Sequence, residues 1–145
     1  MQGVTSFQHG PALGIFQSNV TNFSQGGGQR PNWNGVQPSL GGNPDINRWF
    51  DTSAFSAAAP YTFGNAPRIV TGLRGAGTTN FDTAFAKKTR FAERYTLEFR
   101  TEFFNIFNTP RFQVPVTDFN STAFARTSVQ INKPRTIQFG MKLLF

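Results

Sequence analysis

Arg94–Phe107 reads RYTLEFRTEFFNIF, and two periods compete in it. At spacing two, Tyr95, Leu97, Phe99, Thr101 and Phe103 fall on one side. Arg94, Thr96, Glu98, Arg100 and Glu102 fall on the other. Aromatic and β-branched residues on the apolar side are what a half-buried strand uses. Tyr95, Phe99, Phe103 and Ile106 also fit a helical stripe. That helix strands Leu97 off its apolar face and makes neighbours of the like charges Glu98 and Glu102. The segment is therefore read as a strand over about 94–107.

Working outward, the preceding segment NFDTAFAKKTRF (80–91) alternates in the same way, with Phe81, Thr83 and Phe85 against Asp82, Ala84 and Ala86. A strand is expected over about 80–90, followed by a polar break, FAER, at 91–94. A tight turn there sets Lys88 opposite Glu98 and points Lys87 to the apolar side, where a long amine snorkels to headgroups. Downstream, 108–134 (NTPRFQVPVTDFNSTAFARTSVQINKP) carries three prolines and reads as a long loop. The chain then runs RTIQFGMKLLF, 135–145, with Ile137, Phe139, Met141, Leu143 and Phe145 in register. Upstream, 31–78 reads as one long Pro/Gly-rich loop. Its aromatic residues Trp33, Trp49, Phe50, Phe55, Tyr61 and Phe63 suggest that it packs on something. Residues 1–30 read as partial strand and loop, with GVTSFQ and LGIFQSNV as short strands, ended by Gly26–Gly28.

Connection lengths complete the reading. A break of about four residues joins the first two strands, and loops of dozens flank them. Consecutive antiparallel strands reverse direction, so short and long connections fall at opposite ends of the sheet. Short turns at one end and long loops at the other is the outer-membrane barrel pattern. The expected fold is all-β: the last few antiparallel strands of a transmembrane β-barrel with long extracellular loops. An 11-residue closing strand matches one tilted crossing, which needs about 9–11 residues. Phe81, Phe85, Tyr95, Leu97, Phe99, Phe103, Ile137, Phe139 and Met141 are expected to face outer-membrane lipid. Arg94, Glu98, Arg100 and Glu102, of mixed sign, are expected to line a wet interior.

Composition agrees. Phe occurs 18 times and Leu only 6 times, so the apolar content is largely aromatic and scattered among polar residues. The net charge is +7, but the 14 basic residues are spread along the chain without a basic block, so nucleic acid is not expected as a partner. The absence of cysteine excludes a disulfide scaffold and thiolate metal sites. MQGVTSFQHGP has neither the basic start nor the apolar run of a signal peptide. No apolar run approaches the roughly 18 residues of a spanning helix, a test that membrane strands escape.

In the closing segment, Gln138, Gly140, Leu143 and Phe145 resemble the C-terminal signal of bacterial outer-membrane barrels: polar, any, Gly, any, any, apolar, any, aromatic. The resemblance implies reading by the barrel-assembly machinery and closure against the first strand, a case of strand-edge pairing. NRWFDTSAF (47–55), YTFGNAPRIVTGLRGAG (61–77), NFDTAFAKKTRFAER (80–94) and LEFRTEFFNIFNTPRF (97–112) extend it. Together they resemble the C-terminal end of TonB-dependent receptor barrels, of the Oar-like, carboxypeptidase-regulatory-domain-containing type abundant in Acidobacteria. The likeness covers roughly residues 29–145, and EFFNIFNTPRF and the terminal signal are its most specific parts. It implies the last three strands or so of a barrel of about 22 strands around a plug, with the stub of a fourth at residues 1–8. The plug and the contact with TonB would then belong to the remainder of the receptor.

Catalytic, cofactor and metal chemistry find little support. His9 is a lone histidine in a Gly/Pro context. On a strand, Glu98 and Glu102 share a face about 13 Å apart, with Arg100 between them, too far for paired carboxylates. Gly72, Gly75 and Gly77 are followed by no Gly-Lys-Ser/Thr. Asp45, Asn47 and Asp51 do not have EF-hand spacing. No enzyme activity and no cofactor are expected. The alternative is a soluble β-sandwich binding module for carbohydrate or surface adhesion, which needs further strands inside 31–78 where prolines oppose them. A third reading takes Arg90, Phe91, Phe99, Arg100, Arg111 and Phe112 as a stacking platform for single-stranded nucleic acid.

Overall fold

The computed structural model describes residues 1–18, 29–42, 44–91 and 93–145. Its strands are β1 (Gln2–Gln8), β2 (Asn32–Trp33), β3 (Phe55–Ser56), β4 (Thr78–Phe91), β5 (Tyr95–Phe104) and β6 (Thr136–Leu144). The chain divides into two compact units: Met1–Gln8 with Gly77–Arg111 and Ile131–Phe145, and His9–Ala76 with Phe112–Gln130.

The first unit is a four-stranded antiparallel sheet in the order β1-β4-β5-β6. The β4–β5 connection is tight, because Phe91 pairs with Tyr95. Ala92, inside it, lies outside the described residues. Gln8 pairs with Thr78, and Phe104 with Thr136. Both long connections therefore start and finish at the sheet end opposite the tight turn.

The strand expected over 80–90 runs from 78 to 91, and that expected over 135–145 from 136 to 144. The stub at 1–8 is a seven-residue strand. Two boundaries need correction. Arg94 lies in the turn and not in a strand. β5 stops at Phe104, short of Ile106 and Phe107, because Asn105 takes φ 50° and its backbone N–H turns away to the Asp82 carboxylate at 2.8 Å. Asn enters this left-handed region more readily than most side chains.

The second unit corrects the picture of 31–78 and 108–134 as two separate loops. Leu13, Ile15, Phe50, Ala54, Phe55, Val70, Leu73 and Ala125 form a buried core drawn from both and from the segment around Leu13–Ile15. Phe50 packs edge-on to Phe124 at 5.2 Å and to Phe55 at 6.2 Å. The backbone is satisfied without long ladders. The Trp49 N–H donates to the Ala125 carbonyl at 2.8 Å, and the Thr127 N–H to Ile46 at 2.8 Å. In LGIFQSNV the described residues make isolated bridges, Phe16 with Asp118 and Gln17 with Gln29. Its last two residues, and Gly26–Gly28, lie outside the described residues. A side chain at Gly14 would run into the Arg68 carbonyl, so only glycine permits that approach. Asp51 caps a 3-10 turn (Thr52–Ala54) by accepting from the Ser53 N–H. Tyr61 and Phe63, read as packing anchors, are exposed.

Candidate functional site

The register of the sheet sorts its side chains into two faces. Thr83, Phe85 and Thr89 pair with Phe103, Thr101 and Leu97, which pair in turn with Ile137, Phe139 and Leu143. Phe81 pairs with Thr5 on β1. Alternation then puts Phe81, Phe85, Tyr95, Leu97, Phe99, Phe103, Ile137, Phe139 and Met141 on one face, with Phe7, Phe91 and Leu143. This face is not a core: Phe139 is 71% exposed and Met141 73%. Contiguous apolar exposure of this kind marks an interaction surface or a membrane surface.

Its rings are arranged in order along the strands. At the loop end, Phe81 meets Phe7 at 5.3 Å and Phe107 at 4.9 Å, both edge-on. At the turn end, Phe91 stacks on Tyr95 at 5.7 Å. Phe99 and Phe139, stacked at 6.2 Å, lie between. Phe81 and Phe91 are ten residues apart on one strand, about 33 Å along it. A tilt of about 40° projects this to roughly 25 Å, the height of the apolar band that aromatic girdles bound in outer-membrane barrels. Lys87 is the exception on this face. It pairs with Phe99, six residues from Phe81 and four from Phe91 and so close to the middle of that band, where a lysine that did not snorkel toward the headgroups would cost about 2–4 kcal/mol.

The opposite face is polar. Glu98, Arg100 and Glu102 lie on it with Asp82, Lys88, Arg90 and Lys142. Lys88 sits opposite Glu98 and reaches its carboxylate at 3.5 Å, and Arg100 meets Glu102 at 2.8 Å. Each glutamate thus has a cation beside it. Exposed pairs of this kind contribute about 0–1 kcal/mol, so the reason for the segregation is the cost of charge on the other side. Arg94, in the turn, belongs to neither face. In the last strand Gln138 and Gly140 lie on the polar face, Leu143 lies on the apolar face, and Phe145 follows the strand, 95% exposed. The sheet does not require the glycine, because a methyl group there meets Arg100 Cβ at an ordinary 3.9 Å.

The residues that sequence reasoning missed stand at the loop end of the polar face. Asn105 is buried, and its side chain ties together the two ends of the β5–β6 loop. Its Oδ1 accepts from the Thr109 N–H at 2.9 Å, and its Nδ2 donates to the Thr109 and Lys133 carbonyls at 3.2 Å each. Asn108, at φ 52°, accepts from the Arg135 N–H at 2.9 Å. Asn132 Oδ1 accepts from the Arg111 N–H at 2.8 Å. The two carboxylate oxygens of Asp82 take the Asn105 N–H at 2.8 Å and Asn80 Nδ2 at 2.9 Å. The available signal was the pair of asparagines in FNIFN, three residues apart and both able to adopt left-handed φ. Beside this clamp is a concavity of about 610 Å³ lined by strand and loop residues of the sheet unit.

In the second unit the acidic residues are used in hydrogen bonds within that unit. The Asp45 carboxylate accepts from the Asn47 N–H at 3.2 Å. Asp51 is held below the usual carboxylate range by the Ser53 N–H and then by Arg48. Burial raises the Asp118 pKa, but hydrogen bonds from the Ser18 hydroxyl, the Ser18 N–H and the Asn120 N–H together outweigh it, and the net direction is down. Among the described residues no group of three or more His, Asp or Glu side chains is placed to hold a metal ion.

A family model described as outer membrane beta barrel domain matches residues 1–138. No curated protein and no solved structure matches the chain. The match covers β1, β4, β5 and the start of β6, as far as Gln138, and rules against the soluble sandwich as the fold. The chain belongs to the outer membrane beta barrel domain family and is a protein of the bacterial outer membrane.

Proposed function

We propose that this chain supplies the barrel-closing strands and the assembly signal of a TonB-dependent receptor. In this reading the aromatic face meets outer-membrane lipid and the charged face lines the wet interior. The remainder of the receptor barrel continues from the sheet, its plug lies inside, and energy arrives through TonB. Gln138, Gly140, Leu143 and Phe145 are read by the barrel-assembly machinery. The chain carries no catalysis.

The observation that carries the reading is the state of β6. It pairs with β5 along one edge, and its other edge has no strand partner among the described residues. That edge suits templated strand addition, and the exposed Phe145 beyond it suits a pocket in the recognising protein. A glycine at 140 that the sheet itself does not need is consistent with close approach by another backbone. The FNIFN turn, a specific part of the likeness to receptors of this class, has a structural purpose in ending β5 and holding the loop after it.

Deleting Phe145 tests the proposal. Heat-modifiable protein in the outer-membrane fraction of cells carrying the full-length gene is expected to fall severalfold. An unchanged yield refutes the assembly signal.

A further inference from the structure

The polar face of the sheet has one aromatic among its strand residues, Phe104, and it lines the 610 Å³ concavity. Phe104 is 40% exposed, although it stands among hydroxyl and amide side chains: Ser6, Asn80, Thr136 and Gln138. A ring left uncovered on a wet, hydrogen-bonding wall is what a sugar needs, with its C–H face on the ring and its hydroxyls on the amides. The volume lies within the range of about 300–1,000 Å³ typical of small-molecule sites.

The charges define the class further. Arg111 and Lys133 both line the concavity, and neither makes an ion pair among the described residues. Its one carboxylate, Asp82, is committed to Asn105 and Asn80. The backbone that carries the two cations is also held from behind. The Arg111 backbone is bonded on both sides of its peptide, through its N–H to Asn132 Oδ1 at 2.8 Å and through its carbonyl to the Ile131 N–H at 2.9 Å. The Lys133 carbonyl is bonded to the buried Asn105 at 3.2 Å. Such preorganisation lowers the ordering cost of binding.

We propose that this concavity is a saccharide site selective for acidic sugars. Phe104 is the stacking platform, and Arg111 and Lys133 are the carboxylate-binding residues. The inference rests on the receptor reading, in which this face is open to the barrel interior.

The test uses the full chain in detergent micelles, titrated calorimetrically with trigalacturonate, with neutral galactotriose and with inorganic phosphate. Trigalacturonate is expected to bind about tenfold or more tightly than galactotriose, the scale of a charge-assisted contact, and phosphate to bind at least as weakly as galactotriose. Arg111→Gln combined with Lys133→Gln is expected to weaken trigalacturonate about tenfold and so erase the preference. Phe104→Ala weakens both sugars, with the far-ultraviolet β signal as the control for folding. Equal binding of the two sugars, a preference that survives the double substitution, or phosphate binding as tight as the trisaccharide each overturns the proposal. Removing Phe145 separates the two readings. Sugar binding by a chain that inserts equally well without Phe145 keeps the site and sinks the assembly signal. No sugar binding by a chain whose insertion needs Phe145 does the reverse.

Discussion

The two units use phenylalanine in opposite ways. In the looped unit Phe50 is fully buried, enclosed by Phe55 and Phe124. In the sheet unit Phe139 is 71% exposed, although Phe99 stacks on it. The first arrangement removes aromatic surface from water within the unit itself. The second leaves that surface outward, where only an apolar solvent accommodates it. In the receptor reading proposed above, one chain is thus built for two solvents.

Truncating Phe50 to Ala should break the looped unit, at a cost of about 3–5 kcal/mol for a fully buried ring. Limited proteolysis should then cut within 9–76 while the sheet segments stay protected. Equal cutting in both units would show that they do not unfold separately. Phe139→Lys should do the reverse. It is expected to cost about 2–4 kcal/mol if the residue sits at mid-bilayer, read as a lower urea midpoint for folding into lipid vesicles. A neutral result would remove the lipid assignment of that face. The smallest effect concerns acid. Asp51 and Asp118 have folded pKa values below their ordinary ones, near 3.9 unfolded. Their contribution is therefore complete above about pH 4–5 and is lost as pH falls through the folded values. Intrinsic tryptophan fluorescence, which reports Trp33 and Trp49 of the looped unit, should hold steady from neutral pH to about 5 and change only below about 4. Asp118→Asn should flatten that change.

The sheet was legible because period two is a property of each strand alone. Tyr95 to Phe103 alternate whatever lies beside them, and Lys88 could be set opposite Glu98 from the shortness of one turn. The looped unit was not legible, because its contacts have no period. Ala12 bridges Arg74 and Phe16 bridges Asp118, pairings that nothing local in either segment encodes. The saccharide concavity was hidden for the same reason. Phe104 reads as one more aromatic in EFF until the end of β5 is known, and Arg111 and Lys133 are far apart in sequence until Asn132 draws together the two ends of their loop. Arg94 was misassigned by one residue, enough to move it from a face to a turn.

The tight β4–β5 turn has a consequence for the order in which the chain assembles. The core of the looped unit needs Ala125, supplied by a segment that follows both hairpin strands. Until β4 and β5 pair, residues 77–111 form an open tether, and joining its ends costs loop entropy that grows with its length. Once they pair, the ends of the tether are drawn together and the second segment is delivered at little further cost. The hairpin therefore sets the pace for a body to which it does not belong, and a substitution that slows its closure should delay the burial of Phe50 without touching any residue around it.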